Sequence, residues 1–369
     1  MNYHIDSGSS VPAYMQLYKL IVQDIISEVY PYGSRLPSKR TIAEETGVSV
    51  VTVEHAIALL SEEGYIETRQ RSGCFVIYHK SDFHGTPVLQ NGTFPGIRPQ
   101  SSNVGDFPFS VFAKTMRKVL AYYGNRIFIK SPNSGCDELR TEICSYLARS
   151  RGILVKPSQI VVGSGAEYLY GLIAQLFRDR NKFALELPSY DKIRKVYEAM
   201  GIQCDMLSLT QDGISSKELE RTDATILHVT PFNSFPSGVT ASISKKHEYL
   251  RWAQQRDGFI IEDNYDSELT VSKKPEDSLF SITSDSNVVY VNTFSKTIAP
   301  SMRIGYMILP EKLLEDFHHR LGFYSCTVPV FEQLVLAELL RNGDFERHIN
   351  RVRRKKRKAI IDIGNEIKK

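Results

Sequence analysis

The sequence predicts two domains of different fold class: an N-terminal domain of three helices with a two-stranded hairpin, and a larger α/β domain with a mainly parallel sheet. In residues 1–79, apolar residues recur at helical spacing and are followed by two short β-rich runs. In residues 106–369, short apolar strands alternate with helices, a pattern typical of parallel sheets. Residues 80–105 are rich in Gly, Pro, Ser, Asn and Gln without periodicity, which predicts an interdomain linker.

The composition is that of an ordinary globular protein. The 369 residues are 42% apolar and 24% charged. No apolar run reaches the roughly 18 residues that a membrane helix needs. The five cysteines are scattered without a CxxC spacing, which argues against a zinc or disulfide framework and favours a reducing compartment. We therefore expect a cytoplasmic protein without a membrane segment.

The N-terminal domain begins with three predicted helices. An apolar repeat predicts the first helix over 12–29, and two shorter segments predict the second over 41–45 and the third over 50–63. Ser38 and Ser49 precede the second and third helices, as expected of N-cap residues. Because a glycine-containing turn separates the two helices, the pattern is that of a helix-turn-helix.

A hairpin is predicted to follow the third helix. Residues 65–69 and 74–78 are short β-rich runs joined by a polar turn over 70–73. A helix-turn-helix with such a hairpin is a winged helix, which indicates binding to double-stranded DNA. Residues 1–80 hold seven Lys or Arg against nine Asp or Glu. DNA binding would therefore depend on a few well-placed cations rather than on a broad basic face.

The α/β domain carries polar groups where its predicted strands end. The strand predicted at 160–162 ends in a glycine turn, Gly163-Ser-Gly165, which opens a helix. Backbone N–H groups at such a helix start bind phosphate well. Further strands are predicted at 184–187 and 225–229. Because α/β folds bind ligands at the carboxyl ends of parallel strands, we expect the functional site there.

The most informative lysine lies just after a predicted β-branched strand. The strand over 288–291 breaks into a polar turn with Thr293 and Ser295, and Lys296 and Arg303 follow. Desolvation at the end of a buried strand favours a neutral amine, and a neutral lysine forms Schiff bases with carbonyls such as that of pyridoxal phosphate. The hydroxyl and guanidinium groups would suit its phosphate. The alternative is a solvated loop with an ordinary lysine.

A second strand end complements this lysine. The apolar residues 259–261 lead into Asp263 and Tyr265, which point to the same face because alternate residues of a strand do so. Pyridoxal phosphate needs an acid against its pyridine nitrogen and a donor near its phenolic oxygen. We therefore predict that Asp263 and Tyr265 fill these two roles.

These segments together resemble a known family. The strings Ile261-Glu-Asp-Asn-Tyr-Asp-Ser-Glu268 and Thr293-Phe-Ser-Lys-Thr-Ile-Ala-Pro300 are similar to the aminotransferase-like domain of MocR-type regulators. In this GntR subfamily, a DNA-binding domain is fused to a fold-type-I pyridoxal phosphate domain. Gly33-Ser-Arg-Leu-Pro-Ser-Lys-Arg-Thr-Ile-Ala43 resembles the GntR winged helix. The resemblance covers the chain from about Pro12 onward and implies a homodimer that binds double-stranded DNA and pyridoxal phosphate.

The GntR resemblance assigns DNA contacts to particular positions in the helix-turn-helix and the wing. The residues implied are Ser38, Arg40, Thr52, His55, Arg69, Arg71 and Gly73. Two positions depart from the family, which usually has arginine where this chain has Val50 and Glu54. Valine can touch a thymine methyl but cannot form a bidentate bond to guanine. Glu54 repels phosphate unless it accepts from a cytosine amino group.

The same resemblance assigns further cofactor contacts, to the phosphate, the ring face and the phenolic oxygen. The residues implied are Gly165, Ala166, Glu167, Tyr190 and Asn233. Glu167 replaces a commoner glutamine, which matters only if its carboxylate points inward. Tyr190 has the alternative role of a rim residue that packs on the core.

Family members continue with a further C-terminal lobe that contains the arginine for the substrate carboxylate. We expect that lobe to be incomplete here, so that one wall of the pocket and the carboxylate anchor are absent. The basic run at 351–358 is interpreted as a solvated helix face rather than a nucleic-acid patch.

Three hypotheses for the function follow from these patterns. The favoured one is a DNA-binding transcriptional regulator whose aminotransferase-like domain senses a small amine, an amino acid or pyridoxal phosphate itself. The alternative is a pyridoxal phosphate-dependent aminotransferase with an accessory winged helix. A third hypothesis is a degenerate fragment that binds neither partner.

Overall fold

The computed structural model describes most of the chain. The described residues are 3–6, 8–9, 11–69, 72–79, 107–270, 277–283 and 287–367. The chain divides into two compact units, residues 1–99 and 100–369. The predicted linker and Arg71 lie outside the described residues, so the linker boundaries stay predictions.

The N-terminal unit consists of three helices and a hairpin. Its elements are α1 (Ala13–Ile26), α2 (Lys39–Thr46), α3 (Val50–Glu62), β1 (Ile66–Arg69) and β2 (Gly73–Val76). β1 and β2 pair antiparallel, with Ile66 opposite Val76. The unit has the winged helix-turn-helix fold that the sequence predicts.

The sequence prediction was wrong about where α1 ends. The apolar repeat extends to Val29, yet the helix stops at Ile26. Glu28 adopts a left-handed backbone conformation, with φ of +62°, and the N–H of Val29 donates to the carbonyl of Asp24. This closure resembles a Schellman turn, which satisfies the last carbonyls of a helix. Val29 is consequently exposed rather than part of the core.

Side-chain caps and apolar spacing explain the two shorter helices. The hydroxyl of Ser38 accepts from the N–H of Thr41 and that of Ser49 from the N–H of Thr52, each at 3.1 Å, as predicted. The three helices and the hairpin bury one shared core, which includes Leu17, Ile21, Ile25, Ile42, Val53, Ala56, Leu60 and Ile66. Because these residues recur three or four positions apart within α1 and α3, each helix buries one face and exposes the other.

The larger unit is built on one mainly parallel sheet. Its strands are β3 (Ile160–Gly163), β4 (Lys182–Leu187), β5 (Gln203–Thr210), β6 (Gly213–Ile214), β7 (Ile226–Val229), β8 (Phe259–Asp263), β9 (Val288–Thr293) and β10 (Gly305–Ile308). The spatial order is β3-β10-β9-β8-β7-β4-β5-β6. β10 runs antiparallel to both neighbours, and β6 runs antiparallel to β5. The other pairs are parallel, as the alternation of strands and helices predicts.

Helices cover both faces of this sheet. They are α4 (Phe109–Tyr123), α5 (Asp137–Arg151), α6 (Ala166–Leu176), α7 (Asp191–Ala199), α8 (Ser216–Arg221), α9 (Ile243–Gln255), α10 (Leu279–Ile282), α11 (Leu314–Leu321), α12 (Val330–Arg341) and α13 (Asp344–Ile367). Alternate side chains of β9 point to opposite faces of the sheet. Val289 and Val291 pack with α6, α7 and α11, whereas Tyr290 packs with α5, α12 and α13. Within the described residues, no helix is long and apolar enough to cross a membrane.

Candidate functional site

The carboxyl ends of β8 and β9 meet the start of α6 at a cavity of about 360 Å³. Nine of the predicted site residues line it: Ala166, Glu167, Tyr190, Asp263, Tyr265, Thr293, Ser295, Lys296 and Arg303. The sheet register explains the convergence, because Asp263 lies directly opposite Val291 in the parallel pair β8–β9. Because Asp263 and Lys296 both line this cavity, they lie on the same side of the sheet, as a shared ligand requires.

Lys296 is held by a carboxylate and an aromatic ring. Its Nζ lies 3.0 Å from Oδ1 of Asp266 and 4.4 Å from the centre of the Tyr265 ring. The side chain is 40% exposed. The sequence argument assumed that burial would desolvate this lysine. In the structure, Lys296 is instead an ion-paired and partly solvated residue, although Phe294 and Thr297 in the same turn are buried.

Asp263 is a deeply buried residue of the same cavity. It is 3% exposed, and its Oδ2 accepts from the hydroxyl of Tyr170 and lies 3.9 Å from Nε2 of His228. The hydroxyl of Tyr197 lies 2.8 Å from Nδ1 of His228. Burial raises the pKa of both tyrosines well above the ordinary value, so their hydroxyls stay protonated.

The other carboxylate oxygen of Asp263 provides a test of whether pyridoxal phosphate fits. Oδ1 is buried and has no hydrogen-bond partner among the described residues. A protonated pyridine nitrogen is the kind of donor that this oxygen lacks. The residues present therefore fit the cofactor at this position.

The end of the cavity where the sequence predicts the phosphate contains a network of ion pairs. Oε2 of Glu167 lies 2.7 Å from Nη2 of Arg303, and Oε1 lies 2.9 Å from Nζ of Lys192. Gly165, with φ of +96°, precedes the first residue of α6. A Cβ at Gly165 would lie 3.0 Å from Nη2 of Arg303, so glycine both suits the positive φ and leaves room for the guanidinium at the helix start.

Hydroxyl groups fix the turn that carries Lys296. The hydroxyl of Thr293 donates to the carbonyl of Ile304 and lies 3.1 Å from the hydroxyl of Ser295. The backbone N–H of Ser295 in turn donates to the hydroxyl oxygen of Thr293. On the far side of the turn, Nε2 of His348 in α13 lies 2.9 Å from the carbonyl of Thr297. The turn is thereby connected to both β10 and α13.

Asn233 lies beside the cavity rather than in its lining. Its side-chain amide donates to Oδ2 of Asp266 at 2.6 Å, and its backbone carbonyl accepts from the hydroxyl of Tyr265 at 3.0 Å. The family resemblance implies that Asn233 reaches the cofactor's phenolic oxygen; in the structure its side-chain amide bonds to Asp266, and the contact with the cofactor stays a prediction. Asn233 has a φ of +50° and lies in a turn between β7 and α9.

The loop that carries Asn233 is anchored by Glu186 of β4. The carboxyl oxygens of Glu186 accept from the N–H of Thr230 at 3.1 Å and from the hydroxyl of Ser234 at 2.6 Å. Burial raises the pKa of Glu186 to about 8. At the rim, Tyr190 is 39% exposed and packs edge-on against Phe235. Tyr190 thus lines the cavity, and it also packs against a neighbouring residue at the rim.

The predicted DNA-binding residues of the helix-turn-helix lie on its surface. Arg40 and His55 are exposed, and the ring of His55 packs edge-on against Tyr14 at 5.9 Å. Ser38 acts as the cap of α2, and the hydroxyl of Thr52 lies 2.9 Å from that of Ser49. Ser38 and Thr52 therefore also have a local structural role.

Glu54, the departure from the family pattern, has a partner in this unit. Its Oε1 lies 3.0 Å from Nζ of Lys39, the first residue of α2. Both side chains are nearly half exposed. The pair connects the two helices of the motif and partly neutralises the carboxylate that would otherwise repel phosphate.

In the wing, the guanidinium of Arg69 lies 4.7 Å from the centre of the Phe75 ring. Gly73 has φ of +108°, and a Cβ there would lie 2.8 Å from Nε of Arg35. Glycine is thus required where Arg35 crosses the hairpin, a contact that the sequence did not reveal.

Comparison with known proteins matches both units to families. Residues 13–76 match the gntR family of bacterial regulatory proteins, and residues 101–361 match aminotransferase class I and II. The chain is 35% identical to the HTH-type transcriptional regulator YdeL of Bacillus subtilis, over 95% of this chain and 78% of that protein. It is 27% identical to the probable rhizopine catabolism regulatory protein MocR of Rhizobium meliloti, over 95% of this chain and 76% of that protein.

The chain belongs to the MocR-type regulators of the GntR family. Its larger unit also matches the crystal structure of an archaeal alanine:glyoxylate aminotransferase with a TM-score of 0.60 and 23% identity. That match covers 66% of this chain and 62% of the other, and it establishes the fold alone. The relatives favour a transcriptional regulator over the aminotransferase alternative.

Sequence reasoning missed four residues of this MocR-type regulator's cavity region: Tyr170, His228, Asp266 and Glu186. Tyr170 had a signal, because it lies one helical turn after Ala166 and so faces the same side of α6. His228 had a weaker signal, as an ionisable residue in an apolar strand. Glu186 likewise interrupts the apolar strand β4. Asp266 had none, because its position depends on the turn after β8.

Proposed function

We propose that this regulator holds pyridoxal phosphate at Lys296 and uses the site to sense a small amine, an amino acid or the cofactor itself. The observation that carries the proposal is the buried Asp263 carboxylate, whose Oδ1 has no described hydrogen-bond partner and which lines the same cavity as Lys296. A buried acceptor without a donor is unfavourable, and a protonated pyridine nitrogen would supply that donor.

Pyridoxal phosphate, when bound, supplies an aldehyde and an electron-withdrawing ring for reaction with amines. In this chain, Asp263 would hold the pyridine nitrogen, and Tyr190 would cover one face of the ring. Arg303 and the first N–H groups of α6 would hold the phosphate. Lys296 would supply the amine, positioned by Asp266 and the Tyr265 ring.

We propose that the sensing signal starts at Lys296. This lysine is tied to Asp266, and Asp266 is tied to Asn233, whose carbonyl accepts from Tyr265. An amine ligand that competes with Lys296 would alter these linked contacts and shift the loop that contains Asn233. The proposed output is a change in the DNA-bound geometry of a homodimer, which would prefer repeated or palindromic half-sites.

A cofactor titration tests the first step. Purified protein is titrated with pyridoxal phosphate, and the bound form is followed by its absorbance near the visible edge. Borohydride then fixes the cofactor covalently, and peptide mass spectrometry identifies the modified lysine. We expect modification at Lys296 and complete loss of the band in Lys296→Ala.

A matched lysine variant controls for general lysine chemistry. Lys156 is an exposed lysine paired with Glu311 at 2.8 Å, so Lys156→Ala removes a similar ion pair away from the cavity. This variant should keep the band and the adduct. A wild-type protein without either signal would overturn the proposal.

DNA binding is tested with the upstream region of the regulator's own gene. We expect binding that weakens steeply with salt, because phosphate contacts release counterions. We also expect an amine effector or the cofactor to change the affinity in the wild type but not in Lys296→Ala. Absence of salt-sensitive binding would contradict the DNA-binding part of the proposal.

A further inference from the structure

Glu167 engages the cations that the cofactor phosphate would need. It lies in the first turn of α6 and accepts from both Arg303 and Lys192, at 2.7 and 2.9 Å. Hydrogen bonding from Lys192, joined by that from Arg303, lowers the pKa of Glu167. The carboxylate is therefore charged at neutral pH and supplies one anion to this end of the cavity.

Arg303 is constrained to this location. Its backbone φ is +31°, a conformation that residues with a side chain rarely adopt. Its guanidinium lies so close to Gly165 that a Cβ there would stand 3.0 Å from Nη2. The arginine is thus held at the start of α6, where backbone N–H groups favour an anion, while its guanidinium already bonds to Glu167.

We propose that Glu167 is an internal competitor of the cofactor phosphate and sets the affinity of the site for phosphorylated ligands. The inference rests on the proposed function, since it assumes that the cavity takes pyridoxal phosphate. An incoming phosphate must displace the Glu167 carboxylate from Arg303 or bind beside a like charge, and both weaken binding. Occupancy would then follow the cofactor concentration, as a sensor of the cofactor requires.

Pyridoxal provides the matched ligand for this inference. It has the same ring and aldehyde but no phosphate, so it does not compete with Glu167 for Arg303. Glu167→Gln keeps the size of the side chain and removes its charge. We expect this variant to bind pyridoxal phosphate about tenfold more tightly, with little change for pyridoxal.

The experiment compares the two ligands by absorbance titration and by the amount of borohydride-fixed adduct at Lys296. Glu138→Gln is the control, because Glu138 also lies in the first turn of a helix and pairs with an arginine, Arg126, at 2.9 Å. It should not alter the ratio of the two affinities. In an Arg303→Gln background, Glu167→Gln should lose most of its effect, because the competed cation is gone.

The outcomes separate this inference from the proposed function. An unchanged ratio of pyridoxal phosphate to pyridoxal affinity in a folded Glu167→Gln protein, with the Lys296 adduct present, overturns the role of Glu167 and leaves the cofactor proposal standing. Absence of a Lys296 adduct with either ligand, in both wild type and variant, overturns both. A selective gain for the phosphorylated ligand supports both.

Discussion

The winged helix and the cavity at the carboxyl ends of β8 and β9 place their candidate functional side chains in opposite settings. In the winged helix, Arg40 and His55 point to solvent from a surface whose helices are fixed by their own serine caps. In the cavity, the main functional residues are each bound to a protein partner: Lys296 to Asp266, Arg303 to Glu167 and Asp263 to Tyr170. DNA can therefore meet exposed groups, whereas a cavity ligand must replace or extend existing contacts. The protein groups that pair with the site residues should therefore influence ligand affinity in the cavity more than they influence DNA affinity on the winged helix.

The largest expected effect concerns Glu186, which anchors the loop beside the cavity. Burial raises its pKa from 4.5 to about 8, so the folded protein retains a proton that the unfolded chain releases between these values. Its contribution to stability is complete below about pH 4.5 and is lost as the pH rises through about 8. Because each unit of pKa shift corresponds to about 1.4 kcal/mol, we expect the free energy of unfolding to fall by roughly 5 kcal/mol over this window relative to Glu186→Gln.

Chemical denaturation of the larger unit at about pH 5, 7 and 9 measures this difference. Glu198→Gln, at an exposed position in α7, serves as the control and should keep the wild-type pH dependence. If Glu186→Gln shows the same pH dependence as the wild type, the buried carboxyl is not protonated in the folded state.

The second effect concerns Asp263. Asp263→Asn keeps the side-chain volume but replaces the carboxylate that we propose to hold the pyridine nitrogen. A buried charge-assisted hydrogen bond contributes about 2–3 kcal/mol, so we expect roughly a hundredfold loss of pyridoxal phosphate affinity by absorbance titration. Asp223→Asn is the control, since Asp223 is an exposed aspartate paired with Lys182. An affinity loss of similar size in both variants would show that the effect is not local to the cavity.

Much of this arrangement follows from the sequence because it depends on local rules. Strand periodicity and the parallel order place Asp263 and Lys296 at neighbouring strand ends, and the serine caps fix the helix starts. The partners of the site residues could not be predicted in this way. Glu167 and Arg303 are 136 residues apart, and Tyr170 and Asp263 are 93 residues apart. Such pairs depend on how α6 and the turns meet the sheet in three dimensions.

The third effect tests the DNA-binding face. Arg40→Ala removes an exposed guanidinium at the start of α2. We expect about a tenfold loss of affinity for the upstream DNA and a shallower salt dependence, by about one counterion, across all sequences. Fluorescence anisotropy at several salt concentrations measures both quantities. The pyridoxal phosphate affinity should not change. A changed affinity would contradict the conclusion that Arg40 acts only at the DNA-binding face.

The smallest effect concerns Glu54, whose ion pair gives the winged helix a feature in common with the cavity. Glu54 pairs with Lys39 at 3.0 Å, so this lysine is partly neutralised before DNA arrives. Because both side chains are nearly half exposed, the pair itself contributes well under about 1 kcal/mol. Glu54→Gln should raise non-specific DNA affinity by about two- to threefold and steepen its salt dependence, since Lys39 becomes available to phosphate. The double variant Lys39→Gln, Glu54→Gln should lose this gain. If it keeps the gain, Glu54 repels DNA directly, and internal pairing does not limit binding on this face.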